Sequence, residues 1–292
     1  MPAGGRPTVR SRRLGNALRR YREAAGLDQP DSAEAIMKSV SKVSRLESGQ
    51  TTASALEVRT LLELYGVQDP DERAKLLEWA RRSNERGWWI DYQGAVGDGY
   101  AHHIALEHEA TYIRSWGPVL VPGLLQTTHY MESVIAIGPQ TIPSERVVEL
   151  AKLRQERQRR IEEGGASFAA ILWEPALTSL HLDRKVRDGQ LRHLLDVGER
   201  QNVTIQLLPT QASLVAGMAG AFVAFSFGVE ANVEAVTLEN PANTNVVEAP
   251  EDLALYVNTF DQLRSAALPP DRSAERIREL LEGGTPHKEV KP

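Results

Sequence analysis

The stretch SVSKVSRLESGQ, residues 39–50, decides how the first part of this chain is read. Val40, Val43 and Leu46 are spaced three apart, which gathers them on one side of a helix. On a wheel at about 100° per residue, Glu47 falls on that apolar side, between Val43 and Val40. Ser41, Ser44, Arg45 and Ser48 face the other way, with Lys42 at the edge. Ser39 can cap the start and Gly49 can end it, giving a helix over 40–48. A carboxylate on an apolar face is costly unless a cation answers it. The first helix, Ser11–Ala25, offers one: Leu14, Leu18, Tyr21 and Ala25 form a single stripe, and Arg22 lies at its edge. The planar fork of Arg22 is therefore expected to bind both oxygens of Glu47.

Further short helices surround this pair. Gly26 ends the first, and Asp28 caps a second that holds Pro30 in its first turn and runs to about Ile36. A fourth spans Ser54–Tyr65 before Gly66, and a fifth spans Asp71–Arg86. Charge follows the same division. Residues 1–52 carry ten basic and five acidic side chains, a net +5, so the remainder carries −10 of the chain's −5 total. A basic head on an acidic body suits a polyanion-binding module joined to something else.

Residues 11–66 resemble a helix-turn-helix domain of the Cro/C1-repressor (XRE) type. The likeness rests on LRRYREAAGLDQ (18–29), Ala33, SVSKVSRLESG (39–49) and YGV (65–67). The resemblance implies that the helix over 40–48 enters a DNA major groove, that Arg22 and Glu47 pair, and that Gln29 touches phosphate. Arg45 and Lys42 can donate to guanine edges or phosphates, and Ser39, Ser41 and Ser44 can serve either. Ser48, Gln50 and Thr51 stand at the helix end, where backbone contacts are common, and Arg6 and Arg10 on the arm are within reach of a minor groove. The chain departs from the type at three positions. Val40 stands where Gln often opens the recognition helix and is suited to a thymine methyl. Met37 stands where the turn often has Gly, and Ser32 where the second helix usually has Leu.

Beyond residue 100 the pattern is mixed. Helices are expected near 104–115, 124–137, 144–163, 184–200, 251–267 and 272–282. Strand-like runs are FAAILWE (168–174), VTIQLLP (203–209), AFVAFSF (221–227), EAVTLE (234–239) and TNVVE (244–248). The expectation is an α+β domain with a mostly antiparallel sheet flanked by helices. GWWIDYQ (87–93), LEHEATYIRSW (106–116), PVLVPGLLQTTHY (118–130) and VTIQLLP resemble a DUF5753-like domain found behind such helix-turn-helix modules in actinobacterial, antitoxin-like regulators. That resemblance names no effector.

Other features are weighed against plainer readings. His102, His103, Glu107 and His108 cluster, but no H-E-x-x-H set accompanies them, so a polar helix face is preferred to a metal site. Trp88, Trp89, Tyr92, Tyr112 and Trp116 suit a core, or else a ligand or partner site. Ser144–Glu163 is apolar in its first half and charged in its second, which fits a dimer seam or a docked helix with a solvated end. The chain has no cysteine, which excludes disulfides and thiol chemistry. No nucleotide-binding loop, no G-x-S-x-G and no other credible enzyme site is present. No secretory signal or membrane span is expected.

The resulting layout is a flexible basic arm (1–10), a helix-turn-helix domain (11–70), a linker helix with an aromatic segment (71–100), a regulatory or dimerisation domain (101–282) and a disordered tail (283–292). The expected protein is a cytoplasmic, nucleoid-associated homodimeric regulator that binds double-stranded DNA without a cofactor and is not an enzyme. A small partner protein or a small-molecule effector remains open for the second domain.

Overall fold

A computed structural model of the chain describes residues 9–82, 88–92, 96–137, 143–178, 182–212, 218–228, 232–240 and 243–283. The readings of 1–8 as an arm and 284–292 as a tail lie outside them. The chain divides into two compact units, Met1–Ile90 and Asp91–Pro292.

The first unit is helical: α1 (Val9–Ala24), α2 (Gln29–Ala35), α3 (Val40–Glu47), α4 (Ala55–Leu64) and α5 (Pro70–Arg82). Local chemistry sets the boundaries. Asp28 and Ser54 form reciprocal capping boxes with Asp31 and Glu57, and the Ser39 side chain accepts from the Lys42 backbone N–H. Leu14, Leu18, Val43, Leu46, Leu61 and Leu62 close the core. Leu76 and Ala80 of α5, one turn apart, are buried in that same core. Residues 70–82 therefore belong with the helical domain and are not the linker read from sequence. Trp79 also packs there, with the Arg13 guanidinium 4.3 Å from its ring centroid. α1 passes α3 so closely at Gly15 that a Cβ there would lie 2.6 Å from the Glu47 carbonyl oxygen.

The second unit is built on one six-stranded sheet in the order β3-β2-β1-β4-β5-β6. The strands are β1 (Tyr112–Gly117), β2 (Ser167–Trp173), β3 (Val203–Leu208), β4 (Phe222–Ser226), β5 (Ala235–Glu239) and β6 (Thr244–Val247). The β1–β4, β4–β5 and β5–β6 pairings are antiparallel, as expected of most of the sheet. The β1–β2 and β2–β3 pairings are parallel, so the sheet is mixed. β2 is buried along nearly its whole length, as a strand covered on both faces must be.

Helices α6 (Asp98–Glu109), α7 (Thr128–Ile137), α8 (Ser144–Gln158), α9 (Pro175–Thr178), α10 (Arg184–Gly198), α11 (Pro250–Ala266) and α12 (Pro270–Leu281) complete the unit. α11 sets Leu253, Phe260 and Leu263 against Trp116, Ile171, Phe222 and Val236 on one face. α6 covers the other face, where His103 Nδ1 lies 2.8 Å from Thr237 Oγ1. The helix expected near 104–115 starts earlier, at Asp98, and stops at Glu109. Residues 112–117 instead form the central strand, with Trp116 paired to Ile171 on one side and Phe222 on the other. No helix among the described residues is long and apolar enough to cross a membrane.

Candidate nucleic-acid interface

α3 is aimed by one buried ion pair. Arg22 Nε donates to Glu47 Oε1 at 2.6 Å and Arg22 Nη2 to Oε2 at 3.0 Å, the bidentate geometry of a guanidinium on a carboxylate. The Arg22 and Glu47 side chains are 10% and 4% exposed, so water answers neither charge. The hydrogen bond to Glu47 is the main influence holding the Arg22 guanidinium above its ordinary range, against burial. Arg22 Nη1 also donates to the Leu27 carbonyl at 2.8 Å, tying the pair to the start of the turn before α2.

With Val43, Leu46 and Glu47 buried, the opposite face of α3 reaches solvent. Ser39, Val40, Ser41, Ser44, Arg45, Ser48 and Gln50 are all exposed there. Arg45 Nε makes only a long bond to the Ser41 carbonyl, at 3.3 Å, so its head can be redirected outward at little cost. Ser39 and Ser48 hold the helix ends: Ser39 accepts from Lys42 N, and Ser48 Oγ donates to the Arg45 carbonyl. Two residues taken from sequence as outward contacts are engaged within the fold. Lys42 Nζ donates to Thr51 Oγ1 at 3.2 Å and to the Thr52 carbonyl at 2.8 Å, fixing the loop after α3. Gln29 Nε2 donates to Glu47 Oε2 at 2.9 Å, so its amide extends the inner ion pair.

The departures at 32 and 37 have structural explanations. Ser32 is fully buried, and its hydroxyl lies 2.9 Å from the Tyr65 hydroxyl, replacing an apolar contact with a hydrogen bond. Met37 has φ 51°, the left-handed region that favours glycine, and its side chain is 88% exposed.

The aromatic set is divided between the two units, Trp88 and Trp89 in the first and Tyr92, Tyr112 and Trp116 in the second. Trp88 and Trp89 meet edge to face at 6.0 Å between centroids, and Arg114 lies over the Tyr112 ring. Trp116 is buried in the second unit's core, its Nε1 donating to the Ala219 carbonyl. Tyr92 lies in the 3-10 turn Trp88–Tyr92.

Residues 100–279 match the family described as a domain of unknown function, DUF5753. The chain belongs to the DUF5753 family. Residues 13–76, the region that holds α3 and its ion pair, match a helix-turn-helix domain. No curated protein and no solved structure matches the chain.

The DUF5753 domain contains a cavity of about 430 Å³, whose apolar lining residues include Leu124, Met131, Val134, Ile135 and Phe168. Its polar edge is a network that the sequence reading missed. Arg157 donates to both oxygens of Glu107, at 2.8 and 2.7 Å, to the Tyr100 hydroxyl, and at 3.0 Å to His103 Nε2. Because arginine only donates, His103 Nε2 accepts, which leaves the proton on Nδ1 for Thr237. Burial alone would push the Glu107 carboxyl up; the Arg157 guanidinium reverses this and brings it down to about 2. His103 and Glu107 are thus a buried pair, not the solvated polar face expected of them. α8 likewise does not end in solvent: Arg157 follows Leu150 and Leu153 by seven and four residues, and that spacing was the available signal.

Proposed function

We propose that the chain is a sequence-specific DNA-binding transcriptional regulator of the XRE (Cro/C1) type. α3 reads the major groove, and the DUF5753 domain carries effector sensing and dimerisation. The observation that carries the reading is the exposed Val40, Ser41, Ser44 and Arg45 face on a helix whose opposite side is locked by Arg22 and Glu47. Hydroxyls and a mobile guanidinium are the groups that contact base edges and phosphates, while the ion pair fixes the angle at which they are presented. In this reading the protein works in the cytoplasm on the nucleoid as a homodimer. Half-sites about 34 Å apart would match its two-fold symmetry. It has no catalytic step.

Genome-wide mapping of bound DNA would supply the operator. A gel-shift titration on that operator then tests the face: Arg45→Ala should weaken specific binding by about tenfold or more, on the order of 1–3 kcal/mol. Unchanged affinity would remove α3 from the interface. A second reading has its own observation. Val119 and Leu120 are 65% and 36% exposed beside the cavity, which suits docking of a small partner protein, as in the antitoxin-like actinobacterial regulators that the sequence resembles. Co-purification of a partner that changes DNA affinity and is lost on Val119→Asp would favour it.

A further inference from the structure

Two arginines of α8 converge on one point of the DUF5753 cavity. A Cβ placed on Gly123 would lie 3.3 Å from Arg154 Nη1 and 3.4 Å from Arg157 Nη1, so both guanidiniums sit over a residue with no side chain. The charge of Arg157 is answered by Glu107. That of Arg154 is not answered in the same way. Its Nη1 donates to Gln126 Oε1, a neutral acceptor held in place by the bond from Gln126 Nε2 to the Val121 carbonyl. Its Nε is cut off from solvent and has no hydrogen-bond partner. Glu239, the other carboxylate on the cavity wall, stands at the exposed end of β5, where water screens it.

A guanidinium in this position is costly, and an anion delivered into the cavity would offset that cost with charge-assisted hydrogen bonds. Burial also holds the Arg154 guanidinium below its ordinary range, outweighing the attraction of Tyr100, Glu239 and Glu107. The rest of the wall is largely apolar, and 430 Å³ lies within the roughly 300–1,000 Å³ of small-molecule sites. The cavity lies beside the end of β1, where Ser115, Trp116 and Gly117 line it.

We propose that this cavity binds a small amphipathic anion, with its apolar body against Leu124, Met131 and Phe168 and its carboxylate or phosphate head on Arg154. This rests on the sensing role assigned above to the DUF5753 domain and gives that role a ligand class.

The test is calorimetric titration of the full chain, without DNA, with octanoate, octyl phosphate and octan-1-ol. Octanoate or octyl phosphate should bind saturably at one site per chain, at least tenfold more tightly than the alcohol, and the tighter of the two identifies the head group. Arg154→Met should reduce that affinity at least tenfold, and Arg154→Lys should retain most of it. Should Arg154→Met fail to fold, Val134→Trp, which fills the wall from α7, should abolish binding of the anion. Equal binding of the alcohol, no saturable binding of either anion, or unchanged affinity in a folded Arg154→Met or Val134→Trp protein would each overturn the proposal. Because no DNA is present, its failure is separate from failure of the gel shift.

Discussion

Replacing Glu47 by alanine removes the carboxylate that receives three hydrogen bonds: two from Arg22 and one from Gln29. The loss is not symmetric among the survivors. Gln29 is only half-buried and regains water. Arg22 is 10% exposed and keeps the Leu27 carbonyl, together with a 3.6 Å approach to Glu23. Stranding one member of a buried pair costs roughly 3–5 kcal/mol, and the retained acceptors place this case at about 3 kcal/mol. A domain of this size has on the order of 5–13 kcal/mol in all, so the change is a large share of it. At ~4–8 °C per kcal/mol for a small domain, its melting transition should fall by roughly 12–24 °C. Differential scanning calorimetry of the full chain reads the shift, and hydrogen-exchange mass spectrometry of peptides within residues 9–66 assigns it. The double variant Arg22→Met/Glu47→Leu, which removes both charges, should recover much of the loss. Glu23→Ala, which removes the exposed pair with Arg19 and only a 3.6 Å approach to Arg22, should shift the transition far less than Glu47→Ala does. A Glu47→Ala transition within a few degrees of wild type, or a double variant no better than the single, would refute the reasoning.

Gly15→Ala should destabilise the helical domain by about 2 kcal/mol or more in urea unfolding. A Cβ there strikes the Leu46 and Glu47 carbonyls, which outweighs the ~1 kcal/mol that alanine gains in helix propensity. Met37→Gly should act the other way and stabilise that domain by about 1 kcal/mol in the same unfolding experiment, because it relieves a left-handed backbone at an exposed side chain. The Glu107 carboxyl titrates at about 2 in the fold against an ordinary 4.5, so its contribution to stability is full above pH ~4.5 and is lost as pH falls toward 2. That difference is worth on the order of 3 kcal/mol. Thermal melts of the DUF5753 domain between pH 2 and 7 should therefore flatten in Glu107→Gln, and parallel wild-type and variant profiles would remove the effect.

Helical periodicity, together with the family resemblance, exposed the pairing of Arg22 with Glu47, because both residues stand on regular helices whose faces a wheel resolves. The inward bonds of Lys42 went unseen for the complementary reason. It lies at the edge of the wheel, and the acceptors that draw it in belong to Thr51 and Thr52, on a loop whose path no periodicity describes. β1 was hidden because it is short, carries Arg114 and Ser115, and follows α6 after only two residues. Its β-branched and aromatic content at 111–116 was the weak sign of it, and pairing with residues 167–172 and 222–226 makes it a strand. His103 and Glu107 were read as solvated because the residue that answers them, Arg157, is fifty positions away from Glu107.

The placement of β1 has a consequence for biosynthesis. Tyr112 at its start pairs with Ser226 on β4, so the centre of the sheet cannot close until more than a hundred further residues have been made. At ~5–20 residues per second on the ribosome, that interval is roughly 6–22 s. The helical domain, whose core among the described residues runs from Leu14 to Ala80, can be complete throughout it. A stalled or truncated chain would therefore present a folded helix-turn-helix domain ahead of a sheet whose central strand still lacks its β4 neighbour, the kind of species on which chaperones and proteases act.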